Sequence, residues 1–394
     1  MRIISNRDRF KKAFFITIIL IIFSFTSITF SIAEDQSWWD DDWGYREQII
    51  IVNAGYSVLN NFPAYVKVPY KGEMQNNYND IRFTNTDSSL LLDYEIESYD
   101  ATRAIVWIRI PTLTVPNVSI WMYYGNSNVE SGQNPSAVWD SNYLLVQHLE
   151  EISGAAIDST SNSNNGILHD VEQNTLGKIN GAVKFTLDNS YIDCGNSLSL
   201  NTPSTISIES WVNTTNNNLT TKIAQKGDWD GQGLGQDKWQ GWQGHIYFQD
   251  IGMKTLDWGK KLPQTNSWYY LVVTYDGAKM TLYVDGEKAA ETEVIGAPNV
   301  SDRNFYIGSD AGSQKFFKGS IDEVRMSNIA RGPDWIKQTY LMINDNAGYV
   351  GFGNILPKPM PQEPHLQKKL PMEQISRILG LKSSRSIGGI IEHE

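Results

Sequence analysis

Between Trp38 and Asn128 apolar and polar residues alternate in short runs, each ended by Asn, Gly, Pro or Asp. Glu47–Val52, Ala64–Val68, Asp80–Phe83, Ala104–Ile110 and Val118–Tyr124 show the period of two expected of half-buried strands, and they predict a small β-sandwich. In the run 105–110, Val106, Ile108 and Ile110 share one face and Ile105, Trp107 and Arg109 the other. One face is expected to be core and the other partly wet. A second series starts at Tyr143: Tyr143–Leu149, Gly181–Phe185, Ser190–Cys194, Thr205–Val212, Lys222–Gln225 and Gly244–Gln249. It continues with Trp268–Tyr275, Lys279–Val284, Lys288–Val294, Asn304–Gly308 and Phe316–Met326. Asp276-Gly277 and Asp285-Gly286 stand between three of these runs and predict tight hairpin turns, because Asp-Gly supplies positive φ values. The fold class read from this pattern is all-β.

The pattern breaks at both ends and once in the middle. Arg2, Arg7, Arg9, Lys11 and Lys12 precede an uncharged, largely apolar run from Ala13 to Ala33, and Ser31-Ile32-Ala33 offers small residues at a cleavage site. Residues 1–33 are expected to be a signal peptide, or an N-terminal anchor if uncleaved, since the apolar run is long enough to span a bilayer. Either way the basic flank stays inside, so the body is expected to be secreted or held on an extracytoplasmic surface. The polar stretch 131–142 reads as a linker. Residues 353–394, with Pro357, Pro359, Pro361 and Pro364, read as a disordered tail holding one amphipathic stretch, Met372–Leu381, that could serve a partner. Two domains remain, 34–130 and 143–352.

Charge narrows the partners. The formal net charge is −11, and because residues 1–33 carry +4 and residues 354–394 carry +2, the body between them carries −17. A body this acidic repels phosphate backbones, which argues against nucleic acid and favours divalent cations or neutral polymers. Membrane contact is expected only through an uncleaved N-terminal segment. The one cysteine, Cys194, excludes an intrachain disulfide and reads as a small buried hydrophobe.

Two resemblances order these segments. Trp43-Gly44-Tyr45-Arg46, Asp80-Ile81-Arg82-Phe83, Asp93-Tyr94-Glu95-Ile96-Glu97, Ile105-Val106-Trp107-Ile108 and Tyr123-Tyr124-Gly125-Asn126 are similar, in order, to an uncharacterised extracellular β domain. That family is found beside concanavalin-like domains and with relatives of biopolymer-transport proton channels, and it implies no activity. The second resemblance rests on Val146-Gln147-His148-Leu149-Glu150-Glu151, the Asn/Ser-rich loop Asp158–Gly166, Gly181–Phe185, Ile206–Val212, the Asp-Gly hairpins and Gly319-Ser320-Ile321-Asp322-Glu323-Val324-Arg325. These resemble the concanavalin A-like lectin/glucanase superfamily of laminin-G type, which implies a jelly roll of two antiparallel sheets.

Four groups of residues carry candidate chemistry. By the second resemblance Asp158, Asn164 and Asp322 are the expected ligands of a structural calcium; the plainer alternative is that Asp158 caps its own turn and Asp322 pairs locally. Trp229, Trp239 and Trp242 lie in a Gly-rich segment flanked by Asp and Gln, an apt platform for the C–H faces and hydroxyl rims of sugars, unless they fold back as core. Trp242 leads into the strand at 246–248 and is the one of the three most suited to a core. The paired carboxylates Glu-x-Asp-x-x-Glu of the glucanase branch do not occur, and Asp322-Glu323, being adjacent, should face opposite sides of a strand. The five histidines lack metal-ligand or triad spacing, and His148 reads as a satisfied packing residue. The functional expectation is a non-catalytic recognition protein binding a glycan or cell-envelope polymer; the alternatives are a hydrolase with unfamiliar carboxylates and a protein-binding envelope component.

Overall fold

A computed structural model describes residues 38–202 and 204–359. The expected signal segment 1–33 and the amphipathic stretch Met372–Leu381 lie outside the described residues. The first domain supplies β1 (Tyr45–Val52), β2 (Leu59–Pro69), β3 (Arg82–Asn85), β4 (Leu91–Leu92), β5 (Tyr94–Tyr99), β6 (Arg103–Leu113) and β7 (Asn117–Tyr124). After a short helix α1 (Pro135–Val138) the chain forms β8 (Tyr143–Gln147), β9 (Ile167–His169), β10 (Glu172–Leu176), β11 (Gly181–Phe185), β12 (Tyr191–Asp193) and β13 (Ile206–Thr214). There follow β14 (Thr221–Lys226), β15 (Gln232–Asp237), β16 (Gly241–Phe248), β17 (Gly252–Asp257), β18 (Trp268–Tyr275), β19 (Lys279–Val284), β20 (Glu287–Glu293), β21 (Phe305–Ile307) and β22 (Gly319–Ser327). Helices α2 (Pro333–Asn344) and α3 (Asn346–Tyr349) lead into β23 (Val350–Pro357).

These strands form four antiparallel sheets, ordered β23-β1-β7-β3-β4, β2-β6-β5, β10-β11-β22-β13-β18-β19-β20 with β8 also on β22, and β17-β16-β15-β14-β21-β12-β9. The last two are the layers of the jelly roll. Val183, Ile208, Leu271, Val273 and Leu282 of one meet Ile223, Leu234, Trp242, Ile246 and Phe248 of the other, all buried in one core. Asp285-Gly286 turns with positive φ at both residues, 53° and 78°, as a two-residue hairpin requires. At Asp276-Gly277 the glycine alone is positive; the Asp276 carboxylate instead accepts the amides of Ala278 and Lys279 and closes a longer turn.

The two domains share a core. On β18, Leu271 and Val273 face the jelly-roll interior while Tyr270 and Val272 join Trp211, Tyr283, Trp107 and Val66 in a cluster that spans both domains. A strand covered on both sides reads as a near-continuous apolar run, as Trp268–Tyr275 does. One face of β6 was expected to be partly wet, but Val106 and Ile108 on one side and Ile105 and Trp107 on the other are all buried, Trp107 against His148 and Arg325 of the second domain.

Residues 333–357 return to the first domain rather than completing the jelly roll or opening the tail. On α2 the buried Trp335, Ile336, Thr339, Met342 and Ile343 make a helical stripe. The Asp334 carboxylate accepts the amides of Tyr56 and Ser57, and Gln338 binds both Ala54 N–H and Val52 C=O. Beyond α3, β23 pairs with β1 from Tyr45↔Pro357 to Ile51↔Val350 and so covers an otherwise open sheet edge.

Candidate functional site

The outward face of the seven-stranded sheet carries a polar cleft of about 250 Å³, lined among others by Lys222, Trp229, Gln243, His245, Asp310 and Lys315. Its shape follows from β15. Leu234 of that strand points into the core, while Gly233 and Gly235 occupy the alternate positions and present no side chain. Gly233 is paired with Gln225 on one side and His245 on the other, and Gly235 with Lys222 and Gln243. Side chains on β14 and β16, two strand spacings or about 9–10 Å apart, therefore meet over the glycines. The His245 Nε2 is 2.9 Å from Gln225 Oε1.

The hydrogen bonds fix the polarity of this floor. The Gln225 amide nitrogen donates to the carbonyls of Gly227 and Asp228 and to Asp310 Oδ1, so its oxygen is the acceptor and His245 donates from Nε2. The Lys222 ammonium lies against this ring, 2.9 Å from Nε2 and 3.4 Å from Nδ1. Burial, reinforced by the charges of Lys222 and Lys315, holds His245 well below the usual imidazole range and keeps it neutral. Asp310, buried, takes Lys315 on Oδ2 at 2.8 Å. The loop bearing both is tied to β14 through Lys222 N–H to Lys315 C=O.

Trp229 stands at the rim of the cleft, 66% exposed, with its ring edge-on to Tyr247 at 5.6 Å. Trp239, 67% exposed, sits on the β15–β16 turn. The β15–β16 hairpin separates the two by roughly 20 Å, so they form no common platform. Trp242, placed with them in the expected ligand set, is fully buried in the inter-sheet core against Tyr269, because it alternates with Gln243 and His245 on β16. It is a core residue and cannot meet a ligand.

The expected calcium ligands part company. Asp158 and Asn164 come together, but the four acceptor positions of the Asp158 carboxylate are filled by the amides of Val146, Thr160 and Asn164 and by the Thr160 hydroxyl. Asp322 accepts the amides of Lys178 and Ile179 instead. Asp158 thus organises its own loop, and Asp322 pins the turn before β11. Cys194 is buried beside Gln147, and burial pushes its thiol up, away from reactivity.

His148 has more partners than its sequence neighbourhood indicated. Its Nδ1 lies 2.7 Å from Glu323 and 3.5 Å from Glu97, and its Nε2 lies 3.4 Å from Glu95. Burial alone would lower it, but the Glu323, Glu95 and Glu97 carboxylates hold it well above the usual range, so both ring nitrogens donate. Arg325 pairs with Glu323 and stacks over Trp107 and Trp139. A bulge builds this cluster: Trp211 pairs with Asp322 and Glu209 with Arg325, which leaves an extra residue on β22 and puts Glu323 at φ +54°. Glu323 and Arg325 therefore both reach the first domain, at Glu97 and Trp107. One ring nitrogen of His148 and one carboxylate oxygen each of Glu97 and Glu323 lie within 4.8 Å of one another. The imidazolium and guanidinium already supply the positive charge there. Glu95 and Glu97, two apart on one face of β5, were the legible sign of such a cluster.

Two family models match the chain: the Concanavalin A-like lectin/glucanases superfamily over residues 186–337, and a Domain of unknown function (DUF2341) over residues 77–165. No curated protein matches. Similar solved structures include the binding domain of Paraclostridial Mosquitocidal Protein 1, at 16% identity and TM-score 0.43, over 52% of this chain and 53% of that one. The Botulinum Neurotoxin serotype G binding domain is similar at 16% and 0.43, over 52% of each chain. Domain 4 of AbnA, a GH43 extracellular arabinanase from Geobacillus stearothermophilus, solved with arabinotriose, is similar at 19% and 0.38, over 50% of this chain and 97% of that one. The match spans about half the length of the first two of these solved chains. The chain therefore carries two matches in order, first to a domain of unknown function and then to the concanavalin A-like lectin/glucanase superfamily.

Proposed function

We propose that this is a secreted or extracytoplasmic recognition protein that binds carbohydrate, without cleaving it, on the outward face of the seven-stranded sheet. The observation that carries the reading is the cleft over Gly233 and Gly235: fixed donors and acceptors on its floor and an exposed indole at its rim. A sugar presents the complementary surface, hydroxyls around an apolar ring face. Preorganisation supports it, since Gln225, His245, Asp310 and Lys315 already hold one another and lose little freedom on binding.

The non-catalytic part of the reading is supported by how the carboxylates of this face are engaged. Asp310 is bound by Lys315 and Gln225, Asp193 by Asn304, and Asp257 by Gln243. A carboxyl pair for glycoside cleavage needs one group free to give a proton and one free to attack or to activate water. Calcium, on this reading, is not a ligand-bridging ion. The test is a glycan array probed with wild-type protein and Trp229→Ala, with reducing-sugar release measured on every polysaccharide that binds. Binding lost in the variant without loss of melting temperature supports the reading. Released sugar would make the protein a hydrolase, and binding undiminished in the variant would move the site elsewhere.

A further inference from the structure

Within that cleft one charge has no counterpart. Lys222 is half-buried and runs along the floor, and its ammonium contacts the neutral His245 ring alone. Among the described residues it makes no ion pair. The nearby carboxylates are committed: Asp310 to Lys315 and Gln225, and Asp228 to the Trp229 amide, with Arg303 at 4.0 Å. A cation withdrawn from water without an opposite charge is costly, and proteins generally pair such groups. It is the more unusual here because the body carries an excess of acid that could have supplied a partner.

We propose that the ligand supplies the missing charge: the cleft seats a sugar residue bearing an acid group, a carboxylate or a sulfate ester, that meets the Lys222 ammonium beside Trp229. This rests on the carbohydrate reading above and names the class of carbohydrate. The volume, about 250 Å³, lies just under the roughly 300 Å³ at which pockets for larger small molecules begin, a space for one residue of a polymer. His245, neutral and held by Gln225, packs against the ammonium and fixes its place on the floor. Burial holds Lys222 down to about 8, against the raising influence of Asp310 and with Lys315 also lowering it. An arriving anion restores the ammonium, so binding takes up a proton at alkaline pH. The groups facing Lys222 are His245 from β16, Asp310 and Lys315 from the 309–316 loop, and Asp228 from the β14–β15 loop. A polyanion is repelled by the body as a whole, so binding must come from the site and not from bulk charge.

The experiment is titration calorimetry of the wild-type protein, Lys222→Gln and Lys222→Arg with polygalacturonate, a sulfated galactan and a neutral arabinan. The expected result is that one acidic polymer binds, that Lys222→Gln weakens it on the order of ten- to a hundredfold, and that neutral arabinan is unaffected by the substitution. Which acidic polymer binds tells carboxylate from sulfate. Wild-type affinity should fall above about pH 8, while Lys222→Arg keeps its affinity there. Neutral arabinan binding at the cleft with the acidic polymers silent overturns this inference and leaves the carbohydrate reading intact. An acidic polymer bound equally by Lys222→Gln also overturns it. No binding by any carbohydrate on the wider array removes both.

Discussion

Replacing His148 by Gln removes a buried cation that Glu95 and Glu323 face as carboxylates and beside which burial and Glu323 push the Glu97 carboxyl well above its usual range. Glu95 loses the imidazolium at 3.4 Å and Glu323 loses it at 2.7 Å while keeping Arg325, and the side chains involved are almost wholly withdrawn from water. Breaking a buried pair by deleting one member costs roughly 3–5 kcal/mol, because the remaining charge stays buried and uncompensated. That is a large share of the roughly 5–15 kcal/mol that holds a domain folded. Urea unfolding followed by tryptophan fluorescence and circular dichroism measures it, and both probes should report one transition because the domains share a core. The sign of the pH dependence follows from the directions of the shifts. His148 is held above its ordinary range, so its contribution is full below about pH 6.5 and disappears as pH rises through the higher folded value. Glu323 and Glu95 are held low, against the opposing effect of burial, by His148. Their contribution is present above about pH 4.3 and is lost as pH falls through the folded values. The gap between wild type and His148→Gln should therefore be widest near pH 6 and shrink on the alkaline side. A loss below about 1 kcal/mol, or a gap that widens toward pH 10, would refute the reasoning.

The tryptophans separate cleanly. Trp242→Ala should cost roughly 3–5 kcal/mol in the same assay, whereas Trp229→Ala should leave the melting temperature unchanged and weaken carbohydrate binding about tenfold. Trp239→Ala, at the far end of the hairpin, should change neither. Millimolar calcium compared with chelator should leave the melting temperature in place, since the loop donors already saturate Asp158; a rise with calcium would mean that those donors yield to a cation. Ending the chain after Tyr349 should lower the stability of the first domain by baring the edge of β1, and unchanged melting would show that β23 adds nothing there.

The sequence was most legible where alternation is simple. Runs such as Ile105–Ile110 and Lys279–Val284 and the turn Asp285-Gly286 announce themselves by period and turn chemistry, and the structure has strands and a turn there. β15 was invisible for the reason that makes it interesting: Gln232-Gly233-Leu234-Gly235 has glycine where an outward side chain would complete the pattern, and the same absence opens the cleft. The helical stripe of α2 was present in the sequence but lay inside a stretch whose other signals were all of strands. Trp229 could be named from its neighbours; Lys222, Gln225 and Asp310 could not, since three strands and a distant loop bring them together. The His148 cluster was hidden by a bulge, since counting by twos along 319–325 puts Asp322 and Glu323 on opposite sides of the sheet.

Hydrogen exchange with mass spectrometry, on the protein alone and saturated with whichever polysaccharide the array selects, asks directly where the ligand sits. Slowed exchange confined to residues 221–248 and 309–316, the strands and loop around Lys222, His245 and Asp310, is the result expected. Protection concentrated instead in the 158–166 loop or on the first domain, with 221–248 unchanged, would contradict the account.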